Sequence, residues 1–360
     1  MGCGGNSTSH FLEMNRVKLI YWFLLIALIV SCMVSFSSGN VSIEIRQLIA
    51  ILLKPLGYTD SSVSYTYAQE TVFWTIRMPR VLSAVVVGIA LGASGTALQG
   101  IFRNPLVDAG LIGIASGASL FASLFIVISS SIPFLLLSSV QLTTAFMAFI
   151  GAALTAFLVY RISIYKGKVN ITILILGGVA LNAVCGALTG LLTYFADDKQ
   201  LRDLTFWTLG SVSGATWRSL IIMVFFVFIP LIFLMRTRKS LNAFALGENP
   251  AHFMGVNVRR TKFIVIICAT AMVGACVAFS GVISFVGLVT PHILRLIIGP
   301  NHMNLMPLSA LAGGVLVCWA DLISRNLLPP TDIPIGIITS LIGTPVLLAI
   351  ILKQKRSLFA

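Results

Sequence analysis

The chain has 360 residues, 58% of them hydrophobic and only 10% charged, where ordinary soluble domains run at roughly 45–50% and about 25%. So few charges cannot cover a water-facing surface, which excludes a soluble enzyme. The net charge of +13, from 24 Lys+Arg against 11 Asp+Glu, sits between apolar runs, which points to the loop ends of a membrane protein and away from nucleic acid.

A helix that crosses the bilayer needs about 20 mostly apolar residues. The first apolar run, 17–36, follows Arg16 and Lys18. Its core exceeds the roughly 7–15 apolar residues of a secretory signal, and no small-x-small cleavage site follows, so it is read as the first span. Residues 37–74 form an outer connection with an amphipathic stretch from Ile43 to Leu53. Further runs cover 81–101, 111–130, 134–160 and 171–194, before a second outer connection, 195–216, with Asp197, Asp198 and Asp203. The run 217–235 leads into a cytoplasmic connection, 236–262, and runs over 263–284, 285–298, 305–325 and 334–352 follow. The run 285–298 is short and holds Pro291, His292 and Arg295, which predicts a broken or half-span helix packed among others.

Ten runs predict an all-α polytopic membrane protein. It forms a single transmembrane domain over 1–360, with the helical bundle over 17–352, about ten transmembrane helices and both termini inside. In that orientation sixteen Lys and Arg lie on the cytoplasmic side and eight outside, as the positive-inside rule requires. Gly88-x-x-x-Gly92, Gly113-x-x-x-Gly117 and Gly186-x-x-x-Gly190 predict close helix packing within the chain. Ser94-Gly95 precedes Pro105 by the interval at which Ser280-Gly281 precedes Pro291, in opposite membrane directions. That fits an inverted-repeat permease fold.

Cys3, Cys32, Cys185, Cys268, Cys276 and Cys318 form no C-x-x-C pair, and most read as buried thiols inside apolar runs. Asp321 is the one clear acid inside a run, with Arg325 one turn later as a partner. A single carboxylate is thin equipment for ion-coupled transport, and the pair is expected to tie down its own helix. There is no G-x-x-x-x-G-K-[ST], H-E-x-x-H or G-x-S-x-G sequence. No catalytic residue, metal ligand or cofactor is assigned.

The connection 236–262 reads as two very short helices. Ser240 is expected to cap Leu241–Leu246, with Gly247 stopping it. Asn249 is expected to cap the second, with Pro250 at its first position and Gly255 stopping it. Leu241, Phe244, Phe253, Met254 and Val256 then make a partly apolar knob flanked by basic residues. The knob fits a docking surface for a cytoplasmic partner and equally a helix pair lying in the lipid interface.

Several spaced motifs resemble those of a known family. In the first half these are Ile76-Arg77-Met78-Pro79-Arg80, Gln99 through Arg103-Asn104-Pro105-Leu106, and Leu111-Ile112-Gly113-Ile114-Ala115-Ser116-Gly117-Ala118. In the second they are Ala245-Leu246-Gly247-Glu248 to Gly255, and Gly281 through Phe285-Val286-Gly287-Leu288-Val289-Thr290-Pro291-His292-Ile293-Leu294-Arg295. Asp321 to Arg325 and Ile333-Pro334-Ile335-Gly336 complete the pattern. In this order, over about residues 17–352, the chain resembles the permease family of iron-siderophore and cobalamin ABC importers.

The resemblance implies a ten-helix subunit of the cell membrane that pairs with a second permease, identical or related, around a central path. Two cytoplasmic ATPase subunits and an extracytoplasmic substrate-binding protein complete such an importer. It implies ATPase coupling through Leu241, Phe244, Leu246, Gly247, Glu248, Asn249, Pro250, Phe253 and Gly255. It implies docking of the binding protein on Arg77, Arg80 and Arg325, whose guanidinium forks suit carboxylates. Arg77 and Arg80 also fit simple interfacial anchoring of the second span. It implies a cytoplasmic gate at Asn170, Ile171 and Thr172, where Ile171 departs from the family's small hydroxyl residues. Asp332 stands where a Glu commonly precedes Ile-Pro-Ile-Gly. The chain is expected to be a non-enzymatic subunit that carries an iron(III)-siderophore, with cobalamin or haem as the alternative cargo. A secondary transporter would need several intramembrane acids, and a membrane enzyme a cluster of His, Asp or Cys at one face; neither pattern is found in the sequence.

Overall fold

The computed structural model describes residues 5–39, 41–57, 63–129, 140–166, 168–329 and 331–358. Cys3, residue 130 and residues 134–139 of the predicted runs lie outside the described residues, as do the side chains of His10, Lys353, Lys355 and Arg356.

The helices in chain order are α1 (Gly5–Ser37), α2 (Ile45–Leu53), α3 (Tyr67–Val72), α4 (Met78–Phe102), α5 (Ile114–Ser129), α6 (Val140–Ser163), α7 (Ile171–Phe195) and α8 (Asp198–Leu209). They continue as α9 (Trp217–Arg236), α10 (Arg238–Phe244), α11 (Glu248–Phe253), α12 (Val258–Ser280), α13 (Val286–Ile298), α14 (His302–Asn326) and α15 (Ile335–Leu358). A short antiparallel hairpin, β1 (Ile164–Tyr165) and β2 (Lys168–Val169), pairs Ile164 with Val169. Seven stretches are long and apolar enough to cross a membrane: Asn15–Ser37, Tyr67–Phe102, α6, α7, α9, α12 and α14. α5, α13 and Ile335–Ala349 of α15 are shorter apolar helices. Each of the ten predicted runs coincides with one of these.

α4 runs through the centre of the bundle and is buried along nearly its whole length. Its small residues make that possible, because packing rather than hydrophobicity joins helices in lipid. A Cβ added to Gly88 would lie 2.1 Å from the Gly313 carbonyl oxygen of α14, and one on Gly95 would lie 2.0 Å from that of Gly287 in α13. Gly117 of α5 meets Gly151 of α6 in the same way. Gly186 and Gly190 differ: nothing lies within 4 Å of a Cβ there, so the third small-residue motif faces outward from α7. α1, α7 and α9 expose apolar faces, including Trp22, Phe23, Leu176, Leu191, Phe225 and Ile232.

The short run is a broken segment, as expected. α12 stops at Ser280, Gly281 takes φ +64, and Phe285 in the left-handed region starts α13. The freed backbone is answered by α8 and the loop after it: Val282 N–H donates to the Trp207 carbonyl (3.3 Å) and Ser211 N–H to the Ser280 carbonyl (2.7 Å). The predicted amphipathic stretch is α2, whose Leu48 and Ile51 pack with Phe36, Phe73 and Val81. Cys185, Cys268, Cys276 and Cys318 are buried free thiols, and Cys32 is half-buried.

Candidate functional site

The start of α4 and the end of α14 bring Arg77, Arg80 and Arg325 to one end of the bundle. Arg80 donates from Nε to Asp321 Oδ1 (2.9 Å) and from Nη1 to Asp332 Oδ2 (2.8 Å). Arg325 donates from Nη2 to both the carbonyl and the hydroxyl of Ser35, and its Nε lies 3.8 Å from Asp321 Oδ2. Arg77 donates from Nη1 to the carbonyls of Phe36 (2.6 Å) and Ser37 (3.1 Å), and from Nη2 to that of Val41.

Two expectations change here. Asp321 does not simply tie down its own helix; its close partner is Arg80 across the α4–α14 packing. Nor do the three arginines stand free as outward forks, since each is less than a tenth exposed and engaged within the chain. The physical reason is that a charge held this deep must be paired or hydrogen-bonded. The cluster joins α1, α4, α14 and the segment before α15, with three guanidinium groups against two carboxylates.

At the opposite end α10 and α11 form the knob. Ser240 is not a cap: it lies inside α10, because the chain stays helical from Arg236 through Thr237, and Leu241 N–H reaches the Thr237 carbonyl (2.9 Å). Asn249 is likewise inside α11, where Gly247 (φ +118) takes the N-cap position and its carbonyl accepts from Ala251 N–H at 3.1 Å. Gly255 (φ +82) follows the end of α11, as predicted. Phe244 and Ala251 are buried in the knob's own small core, and Leu241 joins the main one. Leu246, Phe253 (87% exposed) and Met254 form an apolar tip, while Pro250 and Asn249 are exposed beside it.

The knob is fastened to the bundle. Asn242 donates to Asn301 Oδ1 (2.8 Å) and accepts from His302 N–H (2.7 Å), and Arg238 donates to the Met303 carbonyl (3.0 Å). Arg103, in the left-handed region at the end of α4, comes close to Gly247. Asp108 lies in the loop that follows; burial raises its carboxyl above the usual range against the pull of the Leu111 and Gly110 N–H groups.

Asn170, Ile171 and Thr172 stand at the start of α7, on the same end as the knob. Asn170 caps the helix through Ile173 N–H (3.2 Å), Ile171 is half-buried and Thr172 is exposed. Lys262 of α12, 2% exposed, donates to the Val169 carbonyl (3.0 Å) and to Glu248 Oε1 (2.7 Å). Sequence reading placed Lys262 only among the cytoplasmic charges, and missed Asn242. A lysine or asparagine near a helix end carries no local sign of a distant partner.

The sequence profile of the FecCD transport family matches residues 26–353. The hemin transport system permease protein HmuU of Yersinia pestis is 40% identical over 339 residues, which are 94% of this chain and 97% of that protein. The cobalamin import system permease protein BtuC of Halobacterium salinarum is 36% identical over 286 residues, 79% of this chain and 74% of that protein. Among solved structures, an inward-facing conformation of a metal-chelate type ABC transporter matches with a TM-score of 0.78 and 30% identity, covering 93% of this chain and 99% of that one.

Proposed function

Because the chain belongs to the FecCD transport family and is a multi-pass membrane permease subunit of an ABC importer, we propose that its cargo is an iron chelate. The carrying observation is the 40% identity to a hemin permease across almost the full length of both chains. It favours haem over cobalamin. The likeness to a metal-chelate type transporter keeps an iron(III)-siderophore as the second reading.

In this reading all ten apolar helices belong to the transmembrane bundle, both termini are cytoplasmic, and the fold is an inverted repeat. The excess of basic residues on the knob side supports that orientation. The arginine cluster then lies outside. Its surplus of one positive charge and the half-exposed Asp332 carboxylate suit it to receive acidic residues of a binding protein, with Asp332 giving way on Arg80. The exposed apolar tip suits the knob to seat in a cytoplasmic ATPase subunit, two of which serve a pair of permeases. The open, small-residue face of α7 supports pairing with a second permease, and Asn170, Ile171 and Thr172 make its inner gate.

The test is uptake by vesicles that carry the full importer. Labelled haem is expected to accumulate with ATP, and a ferric siderophore to compete with it or replace it. Accumulation of cobalamin alone, with neither iron chelate taken up, overturns the cargo assignment.

A further inference from the structure

We propose that Lys262 is a positioning residue that transmits movement of the knob to the gate at the start of α7, an inference that rests on the permease reading above. Lysine is almost never fully buried unless paired, and at 2% exposure the Lys262 ammonium has two partners. One is Glu248 Oε1 at 2.7 Å, 14 residues back in the chain, and the other is the Val169 carbonyl at 3.0 Å, 93 residues back. Glu248 opens α11, the outer piece of the knob, and Val169 immediately precedes Asn170, the cap of α7. Three separate elements therefore meet on one ammonium.

The surroundings make this contact a tie rather than one packing contact among many. A cleft of about 480 Å³ opens here, lined by Lys168 of the hairpin, by Asn249 and His252 of α11, and by Asn257 and Arg259 at the start of α12. Lys262 spans the base of that gap. Apolar surfaces can slide past one another, whereas charge-assisted hydrogen bonds are short and directional. When an ATPase displaces α11, Glu248 must either carry the ammonium with it or leave it buried without its counter-charge. The second course is costly. Motion of Glu248 is thus passed through Lys262 to Val169, and from there to Asn170 and the first turn of α7.

The experiment uses the complete importer in vesicles. Lys262→Met keeps the apolar stem and removes the ammonium. It is expected to leave ATP hydrolysis within about twofold of wild type while cargo imported per ATP falls about tenfold, a typical size for a lost coupling. Lys262→Arg keeps the cation and is expected to restore most of the ratio. An environment-sensitive fluorophore on Thr172→Cys reports the gate, against an unsubstituted chain as background. Its response to ATP is expected to vanish with Lys262→Met. Where Lys262→Met does not assemble, Glu248→Gln leaves the lysine in place and is expected to lower the same ratio.

Normal import per ATP with an unchanged Thr172 signal, in Lys262→Met or in the assembled Glu248→Gln, overturns the proposal. Phe253→Asp separates this failure from failure of the knob assignment. It places a charge on the exposed tip and is expected to abolish ATPase binding. An importer with Phe253→Asp that hydrolyses ATP and imports normally sinks the knob reading itself, whatever Lys262 does.

Discussion

Asp321→Ala is expected to destabilise the folded chain by about 3–5 kcal/mol, the cost of leaving a buried charge without its partner. Asp321 is fully buried, and its removal leaves the Arg80 guanidinium with Asp332 alone and Arg325 with no ion-pair partner among the described residues. Asp332→Ala removes a carboxylate that is 31% exposed, and its expected cost is about 1 kcal/mol, because water already shares that charge. Thermal unfolding of the purified chain in detergent compares the two directly. The double variant Arg80→Met with Asp321→Leu is expected to recover part of the loss, since it removes the stranded Arg80 charge while Arg325 keeps only its hydrogen bonds to Ser35. Equal shifts for Asp321→Ala and Asp332→Ala contradict the assignment of Asp321 as the buried anchor.

Gly88→Val is expected to prevent α4 and α14 from closing, with a cost above about 3 kcal/mol, the upper range for overpacking. The Cβ at position 88 would stand 2.1 Å from the Gly313 carbonyl oxygen and 2.4 Å from its carbon. Both are backbone atoms and cannot turn aside. Gly177→Val on α7 is the matched control: it also adds a branched side chain to a transmembrane glycine, but the one atom within 4 Å of the new Cβ is a side-chain methyl of Ile162 at 3.9 Å. The fraction of chain recovered as a single species on size exclusion is expected to collapse for Gly88→Val and to hold for Gly177→Val. A well-folded Gly88→Val chain would contradict the close crossing.

The membrane helices were legible because the bilayer imposes a length and a composition that each apolar run displays on its own. Even the break between Ser280 and Val286 showed, through a run too short to span and a proline within it. Cap positions were less legible. Ser240 has the right side chain for a cap, but α9 runs on into α10 almost without a break, and tertiary continuity overrides a local preference. The joining of α3 to α4 through a wider turn at Phe73–Arg77 also left no sign in the sequence. Partners were the least legible of all. Arg80 and Asp321 lie 241 positions apart, and the nearer Arg325 offers a plausible local partner that the fold uses only at 3.8 Å. The same limit hid Lys262, whose partners belong to two other elements.

We propose that this chain is a conduit worked by a separate motor that grips its knob. The most direct measurement places it in sealed vesicles with the second permease and the binding protein, with or without the ATPase subunits, and follows labelled haem or ferric siderophore against its gradient. Accumulation that requires both the ATPase subunits and ATP is the predicted result. Accumulation by the permeases alone, with no ATPase present, would contradict it.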